Sequence, residues 1–204
     1  VPVTYTYNNA TSTVQNFDLK LIAETNFGCQ DSTQLRLSVY PDVTADYTVT
    51  GPWAGCHPFN VQFQNQSVNA NYYYWDFKDG VTSNLENPLN RFEDTTEVNK
   101  EYDVQLIATS DFDCADTIEQ TITVYPSPTA AFEVTPTLQI YPNAEVFVDN
   151  STNDGPWSYT WNFGDGSAPV NVEEPGTHTY ADWGEYEITL YAASANCNDS
   201  VSHG

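Results

Sequence analysis

Two short stretches bring acids and aromatics together: Tyr73-Tyr74-Trp75-Asp76-Phe77-Lys78-Asp79-Gly80 and Tyr159-Thr160-Trp161-Asn162-Phe163-Gly164-Asp165-Gly166. Carboxylate and amide oxygens are hard donors, so Asp76 with Asp79, and Asn162 with Asp165, are candidate calcium ligands. Asp149-Asn150 near Asp154 is a third cluster of the same kind, and a cation would relieve repulsion among the 28 Asp and Glu of the chain. No dense Asp-x-Asp-x-Asp-Gly loop accompanies them, and turn caps and solvated acidic faces are the competing account. Carboxylate pairs also serve glycoside hydrolysis, but that chemistry needs a cleft between two acids at a set distance, and acids here are too abundant for any pair to stand out.

Nucleophilic chemistry has little to work with. His57, His178 and His203 lie in unrelated contexts, none beside a Ser-centred or metal-binding motif. His178 reads as a packing or hydrogen-bonding residue of a strand. His57 could activate Cys56 only as a free thiol. The chain is therefore expected to be non-enzymatic. Trp53 in Gly51-Pro52-Trp53-Ala54 and Trp157 in Gly155-Pro156-Trp157-Ser158 occupy loop-like sequence and are candidate ligand contacts, flat rings on which a sugar could stack.

The elements that hold these residues follow from periodicity. Trp75 and Phe77 alternate along one strand, as do Trp161 and Phe163, which sends both rings of each pair to one face and into a core. Asp79-Gly80 and Asp165-Gly166 then make turns, with Asp capping backbone N–H groups and Gly accepting positive φ. A second landmark occurs three times, spaced by roughly 85 residues. Phe17–Ala23 with Cys29, Tyr102–Ala108 with Cys114, and Tyr186–Ala192 with Cys197 share one pattern. Val39-Tyr40-Pro41 and Val124-Tyr125-Pro126 mark the joints.

This frame divides the chain into the later part of one copy (1–41), a complete copy (42–126), and a copy lacking its last strand (127–204). With no Met anywhere, the chain reads as a window on a longer array. Asn60–Gln64, Asp103–Ala108, Thr117–Val124, Glu145–Val148 and Glu187–Ala192 carry strand patterns, and no stretch shows a 3.6-residue period. About seven short strands per copy, separated by Asn, Asp, Gly and Pro turns, predict an all-β fold of tandem immunoglobulin-like β-sandwiches.

Those residues also carry a family resemblance. Trp75–Gly80 and Trp161–Gly166 resemble the Trp-Asp-Phe-Gly-Asp-Gly hallmark of polycystic kidney disease (PKD) domains, and Thr177-His178-Thr179-Tyr180 with Gly184-Glu185-Tyr186 resembles that family's downstream segment. The middle copy departs from the pattern at Lys78, where the family prefers Gly, and at Arg91-Phe92, which replaces His-x-Tyr. Gly55-Cys56-His57-Pro58 and Cys114–Thr117 are similar to tandem copies in large secreted surface proteins of the Bacteroidetes, including gliding-motility adhesins. The resemblance implies a secreted, cell-surface setting. In that setting, Asp116-Thr117-Ile118 and Asp199-Ser200-Val201 are candidate O-glycosylation triplets.

Four cysteines include no Cys-x-x-Cys pair, and their spacing suits neither zinc nor a redox dithiol. Cys56 and Cys114 fall within one copy and are expected to form a disulfide, in an oxidising compartment. By the same logic Cys29 pairs upstream, and Cys197 has no mate, because Tyr141-Pro142-Asn143 stands where Cys56-His57-Pro58 does. The alternative is four buried or free thiols; small extracellular β domains commonly need such staples.

A formal charge of −23 excludes a nucleic-acid footprint. No apolar run approaches the roughly 18 residues that span a bilayer. The leading expectation is a semi-rigid extracellular spacer or stalk in an adhesin, touching neighbouring repeats, surface glycans or other cell-surface proteins and needing no cofactor beyond a candidate calcium. The alternatives are a glycan- or protein-binding adhesive module acting through loop aromatics, and an accessory domain of a secreted hydrolase.

Overall fold

The computed structural model describes residues 3–140, 142 and 144–204, and among them every regular element is a β-strand. In chain order these are β1 (Gln15–Glu24), β2 (Gln30–Val39), β3 (Tyr47–Thr50), β4 (Ala54–Cys56), β5 (Phe59–Asn65), β6 (Tyr72–Asp76), β7 (Thr82–Ser83) and β8 (Leu89–Phe92). There follow β9 (Lys100–Thr109), β10 (Ala115–Tyr125), β11 (Phe132–Thr135), β12 (Ala144–Asn150), β13 (Ser158–Asn162), β14 (Gly176–Tyr180), β15 (Ile188–Ala193) and β16 (Asn198–His203). Alternation of side chains across the pleat decides which residues go inward: Tyr102, Val104, Leu106 and Ala108 of β9 are buried, with more exposed residues between them.

The chain forms two compact units, one of Val1–Gly51, Val61–Asn90 and Tyr102–Thr121, the other of Pro52–Asn60, Arg91–Glu101 and Ile122–Gly204. In the first, β1 and β2 make an antiparallel hairpin in register from Gln15↔Val39 to Glu24↔Gln30. β3 pairs with β5, and β6 pairs with both β7 and β9. The core of this unit is aromatic: Tyr47 and Trp75 ring centres lie 5.0 Å apart, and Phe63 lies 5.3 Å from both Trp75 and Phe77. The buried Tyr47 hydroxyl donates to the Val104 carbonyl at 2.6 Å, so its polar end is satisfied inside the core.

In the second unit two three-stranded antiparallel sheets, ordered β11-β12-β14 and β13-β15-β16, pack face to face. Phe132, Val146, Val148 and Tyr180 from one sheet meet Trp161, Ile188, Leu190 and Ala192 from the other. This is an immunoglobulin-like β-sandwich, as the strand pattern predicts. β4 adds in parallel to the end of β10, Thr123↔Ala54 to Tyr125↔Cys56.

One boundary needs correction. A closing strand was not expected after Cys197, yet Asn198–His203 forms β16, in register with β15 from Ile188↔His203 to Ala193↔Asn198. Its sequence is almost wholly polar, and it is held by backbone pairing to β15 with Val201 packed against the core.

Candidate functional site

The two acidic-aromatic stretches fold into matching strand ends and turns. Trp75 and Trp161 are fully buried, with their indole N–H groups donating to Leu85 O and Val172 O at 2.9 Å each. Phe77 and Phe163 are buried beside them. After each Phe the chain turns: Asp79 Oδ1 accepts from Val81 N at 2.8 Å and Asp165 Oδ1 from Ser167 N at 2.9 Å. Gly80 and Gly166 take φ of 95° and 82°, the left-handed region that a turn of this shape requires. Lys78 does not disrupt its turn; it adopts φ 60° where Gly164 has 76°, and its ammonium bonds Asp76 at 2.7 Å.

The second oxygen of each turn aspartate reaches a later strand, β8 for Asp79 and β14 for Asp165. Asp165 Oδ2 lies 2.8 Å from His178 Nε2, and His178 stacks flat on Phe163 at 3.9 Å. In the other stretch Asn90 Nδ2 donates to Asp79 Oδ2 at 2.7 Å, so Asn90 does there what His178 does in the later one. Burial works against ionised Asp165, but hydrogen bonds from Ser167 and His178, with the His178 charge, outweigh it and hold the carboxyl at about 2. Tyr180 donates to Phe163 O at 3.1 Å, and its burial, with the nearby Asp165 charge, pushes the phenol up to about 12.

These bonds bear on the candidate calcium ligands. Asp76 accepts from Lys78 N and Nζ, Asp79 from Val81 and Asn90, Asn162 from Gly164 N, and Asp165 from Ser167 and His178. Among the described residues no three His, Cys, Asp or Glu side chains gather as a metal-binding group. The histidines are dispersed in structural roles: Asp94 N donates to His57 Nδ1 at 2.8 Å, and His203 meets the Phe132 ring edge-on at 4.6 Å.

The disulfide is not the expected one. Cys56 is bonded to Cys197, with a Cα–Cα distance of 5.8 Å and 141 residues between them, while Cys114, the expected partner, is a free thiol like Cys29. The reason lies in β4. Because Ala54–Cys56 runs parallel along Thr123–Tyr125, Cys56 is carried to the end of β10, where the β15–β16 turn presents Cys197. Thr123 N donates to Trp53 O at 3.0 Å and His57 N to Tyr125 O at 2.9 Å, fixing the register on both sides of Cys56. Glycine at 55 leaves room for the Phe59 ring, which a Cβ there would overlap. The cue available in the sequence was that Cys197 occupies the hairpin position of Cys114, one joint beyond Cys56.

The candidate ligand tryptophans are not free in the way their loop-like sequences suggest. Trp157 is buried, and its Nε1 donates to Asn153 O at 2.7 Å. Trp53 is half-buried, with its carbonyl bound to Thr123. Aromatic rings that do stand in solvent lie elsewhere, among them Phe27 at 94%, Trp183 at 83%, Tyr5 at 74% and Tyr72 at 61% exposed.

Residues 126–203 match the PKD domain family model, and a PKD domain is identified there. Among solved structures, the chain is similar to the PKD1 domain of the Vibrio cholerae metalloprotease PrtV, with 28% identity over 41% of this chain and 98% of that one, and a TM-score of 0.35. It is also similar to a β-sandwich carbohydrate-binding module (16% identity, 79% of this chain and 83% of that one, TM-score 0.36). A third similar structure holds the fibronectin(III)-like modules of Clostridium thermocellum CbhA (17% identity, 78% of this chain and 92% of that one, TM-score 0.31). No curated protein matches the chain.

Proposed function

We propose that this chain is a non-enzymatic structural segment of a large secreted surface protein: a semi-rigid spacer of consecutive PKD-like sandwiches, tied across a joint by a disulfide. The observation that carries the reading is the Cys56–Cys197 bond, which links sequence on the two sides of the Tyr125-Pro126-Ser127-Pro128 joint. Prolines at that joint restrict the backbone and leave little slack. The negative charge keeps such segments soluble and mutually repelling. A disulfide suits an oxidising, extracellular setting. The Gly55-Cys56-His57-Pro58 start and the Cys114–Thr117 hairpin are what favour an adhesin, including one of the gliding-motility type, as the parent protein. Calcium has no necessary part in this reading, because the turn carboxylates already accept hydrogen bonds from the protein.

Pulling on single molecules from both ends tests the proposal. With the bond closed, the 141-residue separation between the cysteines is withheld from extension, about 480 Å at roughly 3.4 Å per residue. Reductant, or Cys56→Ser, is expected to release that length. Equal contour-length gains with and without reductant would sink the clasp, and with it the reading of the segment as a tension-resistant spacer.

A further inference from the structure

Three hairpin turns present a cysteine, Cys29 between β1 and β2, Cys114 between β9 and β10 and Cys197 between β15 and β16, and of these only Cys197 is bonded. The bond forms because a three-residue strand lies along the last residues of β10, with Tyr125 opposite the incoming Cys56. Val39-Tyr40-Pro41 repeats Val124-Tyr125-Pro126 in sequence, so the end of β2 is to Cys114 what the end of β10 is to Cys197. The geometry agrees. Tyr40 stacks on Phe112, two residues before Cys114, with ring centres 4.3 Å apart, which holds the end of β2 against the Cys114 turn. A cavity of about 480 Å³ opens there, lined by Tyr7, Asn9, Val39, Tyr40, Asp42 and Cys114.

β2 has β1 on one side, and among the described residues no strand lies on its other side. The edge bonds of the bonded pair use Thr123 N and Tyr125 O, which correspond to Ser38 and Tyr40. The Asn9 amide occupies the carbonyl of Val39, the residue between them, at 2.8 Å, so it does not take either corresponding group.

We propose that the open edge of β2 and the Cys114 thiol form one acceptor site for an extended Gly-Cys-x-Pro segment. The segment lies parallel to Ser38–Tyr40 and bonds through its cysteine to Cys114. Its source is the equivalent segment of another repeat, because Gly55-Cys56-His57-Pro58 of this chain is already committed to Cys197. This rests on the reading of the chain as part of a repeat array. Closing the bond removes two protons and two electrons from the two thiols; a disulfide oxidant accepts them and becomes two thiols.

The test uses the chain with Cys56–Cys197 intact and a peptide of sequence Pro52–Asn60 whose cysteine carries a thionitrobenzoate mixed disulfide. The Cys114 thiolate attacks the peptide sulfur, and the aromatic thiolate leaves with the electron pair and is read by its absorbance. Peptide mapping by mass spectrometry then locates the adduct. Two edge hydrogen bonds predict capture at Cys114 about tenfold faster than at the exposed Cys29, a preference lost with a scrambled peptide of the same composition. Ser38→Pro, which removes the matching backbone donor, is expected to abolish it as well. Equal capture at the two cysteines, or equal rates for native and scrambled peptides, would overturn the site. The pulling measurement depends on Cys56–Cys197 alone, so the two ideas fail separately.

Discussion

Asp165 gives one oxygen to Ser167 and the other to His178, so its ionised form is stabilised in the folded chain and not in the unfolded one. Its folded pKa is about 2 against the ordinary 3.8. A depressed carboxyl of this kind contributes stability that is fully present above its unfolded value and is lost as pH falls through its folded one. The contribution is about 1–2 kcal/mol after allowance for solvent screening. Asp165→Asn is expected to cost roughly that amount at neutral pH and to flatten the loss of stability between about pH 4 and pH 2. Denaturant unfolding across that range checks it; an unchanged acid limb would remove His178 and Asp165 as a coupled pair. The roles of Trp75, Phe77, Asp79 and Gly80 were legible in the sequence, because strand alternation and turn chemistry are local. Asn90 was not, since nothing local marks an amide as the partner of an aspartate on a preceding turn.

The fold class could be read from strands such as β9 and β12, whose alternation is strong, whereas the edges of the sheets could not. β16 has almost no apolar signature and exists by backbone pairing with β15. β4 is three residues long, and nothing in Ala54-Gly55-Cys56 says which strand it will join. That choice decided the disulfide, and sequence proximity favoured the wrong partner, Cys114. Trp157 misled for a similar reason: Gly-Pro-Trp-Ser reads as a loop, but the indole folds back onto the Asn153 carbonyl. Burial therefore separates the tryptophans by element. Trp75→Ala, in the aromatic cluster of β3, β5 and β6, is expected to cost about 3–5 kcal/mol. Trp183→Ala, in solvent, should stay within about 0.5 kcal/mol. Equilibrium unfolding of the two variants measures this, and similar losses from both would contradict the placement of the core.

Five Lys and Arg against 28 Asp and Glu leave the whole chain strongly self-repelling. Ion pairs offer little relief, because Arg36–Asp18 and Arg91–Glu93 are well exposed. Raising ionic strength from near zero to about 0.5 M is therefore expected to add roughly 1 kcal/mol of stability, or about 2–4 °C in melting temperature. A midpoint that falls with salt would mean that the ion pairs, rather than net repulsion, dominate.

The span of the Cys56–Cys197 bond also bears on how the chain meets proteases. Everything from one cysteine to the other lies inside a covalent ring, so a single cut anywhere between them opens the ring without parting the molecule. A nicked chain keeps its two ends joined, even after further cuts inside the ring, until a reductant opens the bond. Damage that would sever a simple linker leaves this one connected.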